Sequence, residues 1–106
     1  MPAESTVFIV DDDEALRDSL TWLLESVRLR SRTFASAQEF LREFDRNYPG
    51  CLVLDVRMPG MSGLELLDRL TAEGVGMPVI LLTAHADVPM AVRALKGGAV
   101  DFLTKP

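Results

Sequence analysis

Asp55 follows the apolar run of residues 51–54 and precedes a stretch rich in turn residues, so its carboxylate is expected at the end of a buried strand. Three other strand-like runs also end in polar side chains: Asp11, Asp12 and Asp13 after residues 6–10, Thr83 after residues 79–82, and Lys105 after residues 99–104. Parallel α/β sheets bind ligands beyond the carboxyl ends of their strands. We therefore expect these side chains to form one composite site.

The residue types of this site suit phosphoryl transfer. Converging carboxylates repel one another, a divalent cation relieves that repulsion, and oxygen-only ligands suit Mg²⁺. The lysine supplies a fixed positive charge and the threonine a hydroxyl donor, which are the groups that stabilise a transferring phosphoryl group. An aspartate can itself be the nucleophile and form an acyl phosphate. Asp55 is the candidate nucleophile because it stands alone on its strand, whereas the adjacent Asp11 and Asp12 suit a metal-holding pair.

The elements that position these residues alternate in type. Apolar patterning predicts strands over residues 6–10, 29–34, 51–55, 79–83 and 99–104, with residues 29–34 at an edge. Helices are predicted over residues 14–27, 36–45, 62–73 and 88–96. This alternation indicates an α/β fold, a parallel sheet with helices on both faces. The central strands are almost wholly apolar, as burial on both faces requires.

Helical periodicity and capping signals locate the helices more closely. The first helix carries one apolar stripe, and Trp22 falls off it, so we expect Trp22 to be partly exposed. Ser36 with Glu39, and Ser62 with Glu65, have the spacing of capping boxes. The residues of the first stripe are Leu16, Leu20, Leu23, Leu24 and Val27.

Composition limits the class of protein. The 106 residues argue for one domain, and 48% apolar with 25% charged residues is ordinary for a soluble protein. A net charge of −5 argues against a nucleic-acid surface in this segment. The single cysteine, Cys51, excludes an internal disulfide and is expected to be a buried thiol. No run resembles a membrane span or a secretory signal, so the expected location is cytoplasmic.

Four motifs resemble one family. VDDD at residues 10–13, DVRMPG at 55–60, LTA at 82–84 and KP at 105–106 are similar to the receiver domains of bacterial two-component response regulators. The spacing from Thr83 to Lys105, with Phe102 three positions before the lysine, also fits that family. The resemblance covers the whole chain. It implies a flavodoxin-like, doubly wound, five-stranded parallel sheet of strand order 2-1-3-4-5.

The resemblance also implies the roles of the site residues. Asp55 would accept a phosphoryl group from a sensor histidine kinase, and Thr83 and Lys105 would contact the phosphoryl oxygens. Asp12, Asp55 and the backbone carbonyl of Arg57 would coordinate Mg²⁺, which Mn²⁺ could replace. Asp11 would act through metal-bound water.

Three further expectations follow from the same resemblance. Phe102 would be the aromatic switch that turns inward when Thr83 moves. Arg57 and His85 would tune the lifetime of the phosphoryl group. The Lys105–Pro106 peptide bond would be cis, which an X–Pro bond adopts at modest cost.

Two longer stretches, DVRMPGMSG at residues 55–63 and HADVPMAV at 85–92, resemble receivers that carry a C-terminal helix-turn-helix domain. That likeness implies contact with DNA only through a domain absent from this chain, no membrane partner, and a homodimer through the fourth helix and fifth strand. It also implies no enzyme activity beyond self-catalysed phosphotransfer and autodephosphorylation.

Receivers normally continue into a fifth helix after the Lys-Pro pair, but this chain ends at Pro106. We therefore expect residues 1–106 to form a receiver domain truncated before that helix. Apolar area near the fifth strand should be exposed, which would lower stability or favour strand swapping or self-association.

Other interpretations are weaker. Asp11–Asp13 superficially offers the D-x-D pattern of haloacid-dehalogenase-like phosphatases, but position 15 is Ala rather than Thr or Val. An FMN module would need a phosphate-binding loop where three aspartates stand, and a calcium loop would need interleaved ligands and a central glycine. Taken singly, the acidic run could be a solvated helix N-terminus, Thr83 a cap, Lys105 a surface charge and Phe102 a core residue.

Overall fold

The computed structural model describes residues 5–105, and the sheet in that part has the expected order. Five parallel strands are arranged β2-β1-β3-β4-β5, so β2 and β5 are the edges. The strands are β1 (Thr6–Val10), β2 (Arg30–Phe34), β3 (Gly50–Asp55), β4 (Val79–Thr83) and β5 (Asp101–Thr104). The α-helices among the described residues are α1 (Glu14–Ser26), α2 (Ala37–Glu43), α3 (Gly63–Ala72) and α4 (Val88–Lys96), and a 3₁₀ turn spans His85–Asp87.

The main core lies on one face of the sheet. Alternate residues of β1, β3 and β4 point to this face and meet α2, α3 and α4. Each fully buried leucine there contributes about 2 kcal/mol of transfer free energy relative to exposure. The buried members from the strands are Phe8, Val10, Phe34, Leu52, Leu54, Val79 and Leu81, and those from the helices are Ala37, Phe40, Leu66, Leu67, Leu70 and Ala91.

Helix α1 is less buried than its apolar stripe predicts. None of its residues is buried, and Leu23 and Val27 of the stripe are 53% and 60% exposed. Periodicity marks an apolar face but does not supply a partner for it. Trp22 is 73% exposed, beyond the partial exposure expected. On the edge strand Leu103 is 56% exposed, which agrees with the predicted apolar area near β5. The predicted effects on stability and association stay predictions.

A close backbone contact fixes the loop between β3 and α3. A Cβ atom on Gly63 would lie 1.9 Å from the carbonyl oxygen of Asp55, so only glycine allows α3 to begin against the end of β3. The Gly63 amide donates to the carbonyl of Val56 at 3.0 Å. Both reciprocal hydrogen bonds of the Ser62–Glu65 capping box are present. The loop that follows Asp55 is therefore held at both ends.

Several local expectations need correction. Glu39 does not close a capping box with Ser36: its carboxylate accepts from the Ala35 amide at 3.4 Å instead. Strand β5 begins at Asp101 rather than 99, because the Ala99 amide donates back to Ala94 at the end of α4. Cys51 is half-buried rather than fully buried.

Two other expectations concern the chain ends and the membrane. The Lys105–Pro106 bond lies outside the described residues. No helix within residues 5–105 combines the length and the apolar character that crossing a membrane requires.

Candidate functional site

Three aspartates meet at the carboxyl ends of the two central strands. Asp11 follows β1 and Asp55 ends β3, and these strands pair with Val10 opposite Leu54, so the next residue on each strand lies side by side. Asp11, Asp12 and Asp55 each place a carboxylate oxygen within 4.8 Å of the others. Asp11 is fully buried, Asp55 is 4% exposed and Asp12 is exposed. The structure thus brings together the acidic residues that the sequence predicted.

Lys105 is the cation of this cluster. Its Nζ lies 3.1 Å from Asp11 Oδ2 and 3.2 Å from Asp55 Oδ1, and its side chain is 26% exposed. The Lys105 amide donates to the carbonyl of Thr83 at 2.8 Å, which sets where the side chain leaves the end of β5. One ammonium therefore serves two carboxylates from neighbouring strands.

The ionisation of the cluster reflects burial and crowding. Burial raises the pKa of Asp55 to about 6, the negative charge of Asp11 adds to that rise, and Lys105 and the Arg57 amide oppose it. Burial alone would lower the pKa of Lys105, but its close contacts with the Asp11 and Asp55 carboxylates outweigh burial and raise it. Lys105 is thus held in its charged form, yet its charge does not fully offset the effect of burial on the pKa of Asp55.

The aspartate cluster fits a hard divalent cation. Among the described residues, no donor meets hydrogen-bond geometry at the buried Asp11 Oδ2, although Lys105 Nζ lies 3.1 Å away. A buried carboxylate oxygen without a full partner is costly unless something else binds it. Asp11, Asp12 and Asp55 offer oxygen ligands only, which suits Mg²⁺ or Mn²⁺ rather than zinc.

The third aspartate of the acidic run has a structural role. The Asp13 carboxylate accepts from the amides of Ala15 and Leu16 at 3.0 and 3.3 Å and caps α1. The Asp13 amide in turn donates to Asp11 Oδ1 at 2.9 Å. A solvated helix N-terminus is therefore the correct interpretation for Asp13, while Asp11 and Asp12 belong to the cluster.

Thr83 and Phe102 lie beside the cluster on neighbouring strands. Thr83 is fully buried at the end of β4, and its hydroxyl donates to the Ala84 carbonyl at 3.1 Å. Phe102 is half-buried, pairs with Leu81 and packs against the main core. Thr83 thus ends β4, as the sequence predicted, and its hydroxyl contacts the next residue in the chain.

The loops around the site hold the remaining predicted residues. The Arg57 amide donates to Asp55 Oδ1 at 3.3 Å, while the guanidinium extends away from the cluster. His85 is exposed in the 3₁₀ turn. Sequence reasoning missed Asp87, which pairs with Arg57 Nε at 2.6 Å. This contact raises the pKa of Arg57 and lowers that of Asp87. An aspartate just before Val88-Pro89 is a cap signal, and nothing in the sequence linked it to residue 57.

Comparison with known proteins identifies the family of this chain. The family described as response regulator receiver domain matches residues 7–106. The chain is 53% identical over 109 residues to the transcriptional regulatory protein FixJ of Azorhizobium caulinodans, covering 100% of this chain and 50% of FixJ. It is 56% identical over 103 residues to the C4-dicarboxylate transport transcriptional regulatory protein DctR of Rhodobacter capsulatus, covering 95% and 52%. The chain thus spans about half the length of these curated relatives.

Solved structures show the same fold. The response regulator StyR matches with a TM-score of 0.91 and 52% identity, over 98% of this chain and 52% of that chain. The crystal structure of FixJ-N matches with a TM-score of 0.88 and 47% identity, over 97% and 82%. These matches confirm the flavodoxin-like fold expected from the sequence.

Proposed function

The chain belongs to the response regulator receiver domain family, and from that premise we propose that it is a phosphate-accepting signalling domain. In this proposal Asp55 takes a phosphoryl group from a sensor histidine kinase in the cytoplasm. The observation that carries the proposal is the position of the Asp55 carboxylate. It ends a central strand, lies among two further aspartates, and contacts the Lys105 ammonium at 3.2 Å.

The chemistry needs an ionised Asp55 and a stabilised phosphoryl group. A carboxylate oxygen of Asp55 attacks phosphorus, the bond from phosphorus to the donor breaks, and an acyl phosphate forms. A pKa of about 6 leaves Asp55 ionised at neutral pH, when it can act as the nucleophile. The Lys105 ammonium is close enough to move from the carboxylates to the oxygens of the incoming group.

Asp11, Asp12, Asp55 and the backbone carbonyl of Arg57 are the proposed holders of Mg²⁺, with Asp11 acting through metal-bound water. A bound Mg²⁺ would neutralise charge between the carboxylates and the phosphoryl oxygens. The protein residues would then fix the orientation of the group, because each lies at, or within two residues of, the end of β1 or β3, which are neighbouring strands.

The proposed response begins at Thr83. Its hydroxyl, now bonded to the Ala84 carbonyl, would turn to a phosphoryl oxygen. Phe102 on the adjacent strand would move into the space that Thr83 leaves, and α4 would shift between two populated states. His85 and Arg57, beside the site, would tune how long the phosphoryl group persists.

The output of the proposed domain is transcriptional. Relatives of about twice this length are named transcriptional regulators, so we propose that DNA is contacted through a domain absent from this chain. A homodimer through α4 and β5 is the proposed active assembly. No activity beyond self-catalysed phosphotransfer and autodephosphorylation is proposed.

The proposal is tested by offering the chain a small-molecule phosphodonor, acetyl phosphate, with Mg²⁺. Intact mass should increase by one phosphoryl group, and peptide mapping should place it on Asp55. Omitting Mg²⁺ should prevent the gain. A chain that gains no mass, or that carries the group on another residue, refutes the assignment.

Substitution of Asp12 should weaken metal binding without unfolding the chain. Asp12→Asn removes an exposed carboxylate of the cluster, so we expect Mg²⁺ affinity to fall at least about tenfold, since even outer partners of metal ligands have effects of that size. Isothermal titration calorimetry measures the change. Asp13→Asn is the matched control, because that carboxylate caps α1. Equal losses in the two variants would contradict the ligand assignment.

A further inference from the structure

An ion pair joins the loop after Asp55 to the start of α4. Arg57 Nε donates to Asp87 Oδ2 at 2.6 Å, and an Arg57 terminal nitrogen lies 3.8 Å from Met90 Sδ. The guanidinium therefore lies across the first turn of α4. The two partners differ in exposure, at 69% for the Arg57 side chain and 9% for that of Asp87. The Asp87 carboxylate is thus buried in the protein surface, whereas most of the Arg57 side chain faces solvent.

Arg57 contacts the proposed phosphorylation site at the same time. Its amide donates to Asp55 Oδ1 at 3.3 Å, so one residue touches Asp55 through its main chain and α4 through its side chain. A group added to Asp55 would therefore lie two residues along the chain from Arg57, the residue that carries this guanidinium. No other described ion pair connects the loop after β3 with the loop after β4.

Helix α4 begins without a side-chain cap. Asp87 occupies the N-cap position with φ −99° and ψ 5°, yet its carboxylate makes no capping hydrogen bond. Aspartate is among the best N-cap residues because its oxygen accepts from the amides of the first turn. Here the Asp87 backbone is not extended, and Pro89 in the first turn has no amide hydrogen to donate. Loss of the arginine would instead leave the Asp87 carboxylate, 9% exposed, without its ion-pair partner at the start of α4.

Resting on the proposed function, we propose that Asp87 is a positioning residue that holds the Arg57 guanidinium against α4, and that a phosphoryl group on Asp55 competes with Asp87 for it. The phosphoryl group carries between about −1.5 and −2 charges, in place of the single charge of the Asp55 carboxylate, and offers three acceptor oxygens. Arginine binds such groups through two parallel N–H bonds, which a single carboxylate oxygen does not match. Release of the arginine removes its ion pair with Asp87 and its contact with Met90 from the start of α4. Phosphorylation thus reaches α4 by an exchange of ion-pair partners, separate from the movement of Thr83.

A double-mutant cycle tests the competition. Beryllium trifluoride with Mg²⁺ serves as a phosphoryl mimic, and its affinity is measured by titration. Asp87→Asn should bind the mimic about three- to tenfold more tightly than wild type, because Arg57 no longer has to leave a partner. In an Arg57→Gln background the same substitution should change nothing. Asp68→Asn on α3 is the control, since it removes an exposed carboxylate of equal charge.

A direct readout needs no variant at position 87. In wild type the Nε–H resonance of Arg57 should move on addition of the mimic, as its acceptor changes from Asp87 to the mimic. An ion pair that serves structure only would leave this resonance in place. The inference is overturned if this resonance does not move, or if Asp87→Asn has the same effect on mimic affinity in both arginine backgrounds. In either case, mimic binding that depends on Asp55 still supports the proposed function. A wild-type chain that binds no mimic defeats both.

Discussion

Replacing Asp55 with asparagine is expected to abolish phosphoryl uptake, to below about one thousandth of the wild-type rate. The amide oxygen is neutral and a poor nucleophile, and the neighbouring carboxylates are not equivalent substitutes. Asp11 is fully buried, with one oxygen bound to the Asp13 amide and the other 3.1 Å from Lys105 Nζ. Asp12 is exposed, and the described ion pairs of Lys105 are with Asp11 and Asp55. Intact mass over a time course with acetyl phosphate and Mg²⁺ measures the rate.

The loss in this variant should come from chemistry and not from unfolding. Burial raises the pKa of Asp55 to about 6, so between about pH 4 and 6 the folded protein binds a proton that the unfolded chain releases. Stability from this group therefore falls as pH rises through that window. Asparagine has no charge, so it avoids the cost of burying an ionised carboxylate. Metal-free Asp55→Asn should therefore be at least as stable as wild type at neutral pH. Asp68→Asn controls for a lost carboxylate. Uptake at the wild-type rate in Asp55→Asn would show that the nucleophile lies elsewhere.

The strand ends explain why much of the site could be predicted from the sequence. A polar residue directly after a buried apolar run must emerge at an end of the sheet, and parallel strands bring those ends to one edge. That argument placed Asp11, Asp55, Thr83 and Lys105 correctly. It depends only on local pattern and on the order of elements, both of which are encoded within short stretches.

Contacts between distant loops could not be predicted in that way. The Arg57–Asp87 pair joins residues 30 positions apart, and it depends on the 3₁₀ turn that carries Asp87 to the start of α4. The direction of the Thr83 hydroxyl likewise depends on which side-chain rotamer is adopted, and the sequence pattern does not specify the rotamer. The exposure of Leu23 and Val27 was missed for a different reason, because an apolar stripe predicts which side of a helix is apolar and not how much of it is covered.

Replacing Lys105 with methionine is expected to lower both stability and the rate of phosphoryl uptake. The ammonium is the described cation within 3.2 Å of Asp11 and Asp55, and its removal leaves buried carboxylates without that charge. Breaking a partly buried pair in this way should reduce the free energy of unfolding by about 2 kcal/mol at about pH 8 without metal. Uptake should slow by about a hundredfold, the effect typical of removing one group that stabilises transition-state charge. Lys96→Met on α4 is the matched control, because Lys96 is exposed.

The pH dependence of the Lys105→Met defect separates lost charge from lost packing. Without the ammonium the folded-state pKa of Asp55 should rise above about 6, so the window in which stability falls with pH extends upward. The deficit relative to wild type should therefore be largest at about pH 8 and shrink toward about pH 5, where Asp55 is protonated in both proteins. Chemical denaturation at the two pH values measures it. A defect of the same size at both would mean that the lost pairing with Asp55 does not cause it. Mg²⁺ should restore the stability, since it returns positive charge to the carboxylates, but not the rate, because the ammonium that contacts the phosphoryl oxygens is still missing.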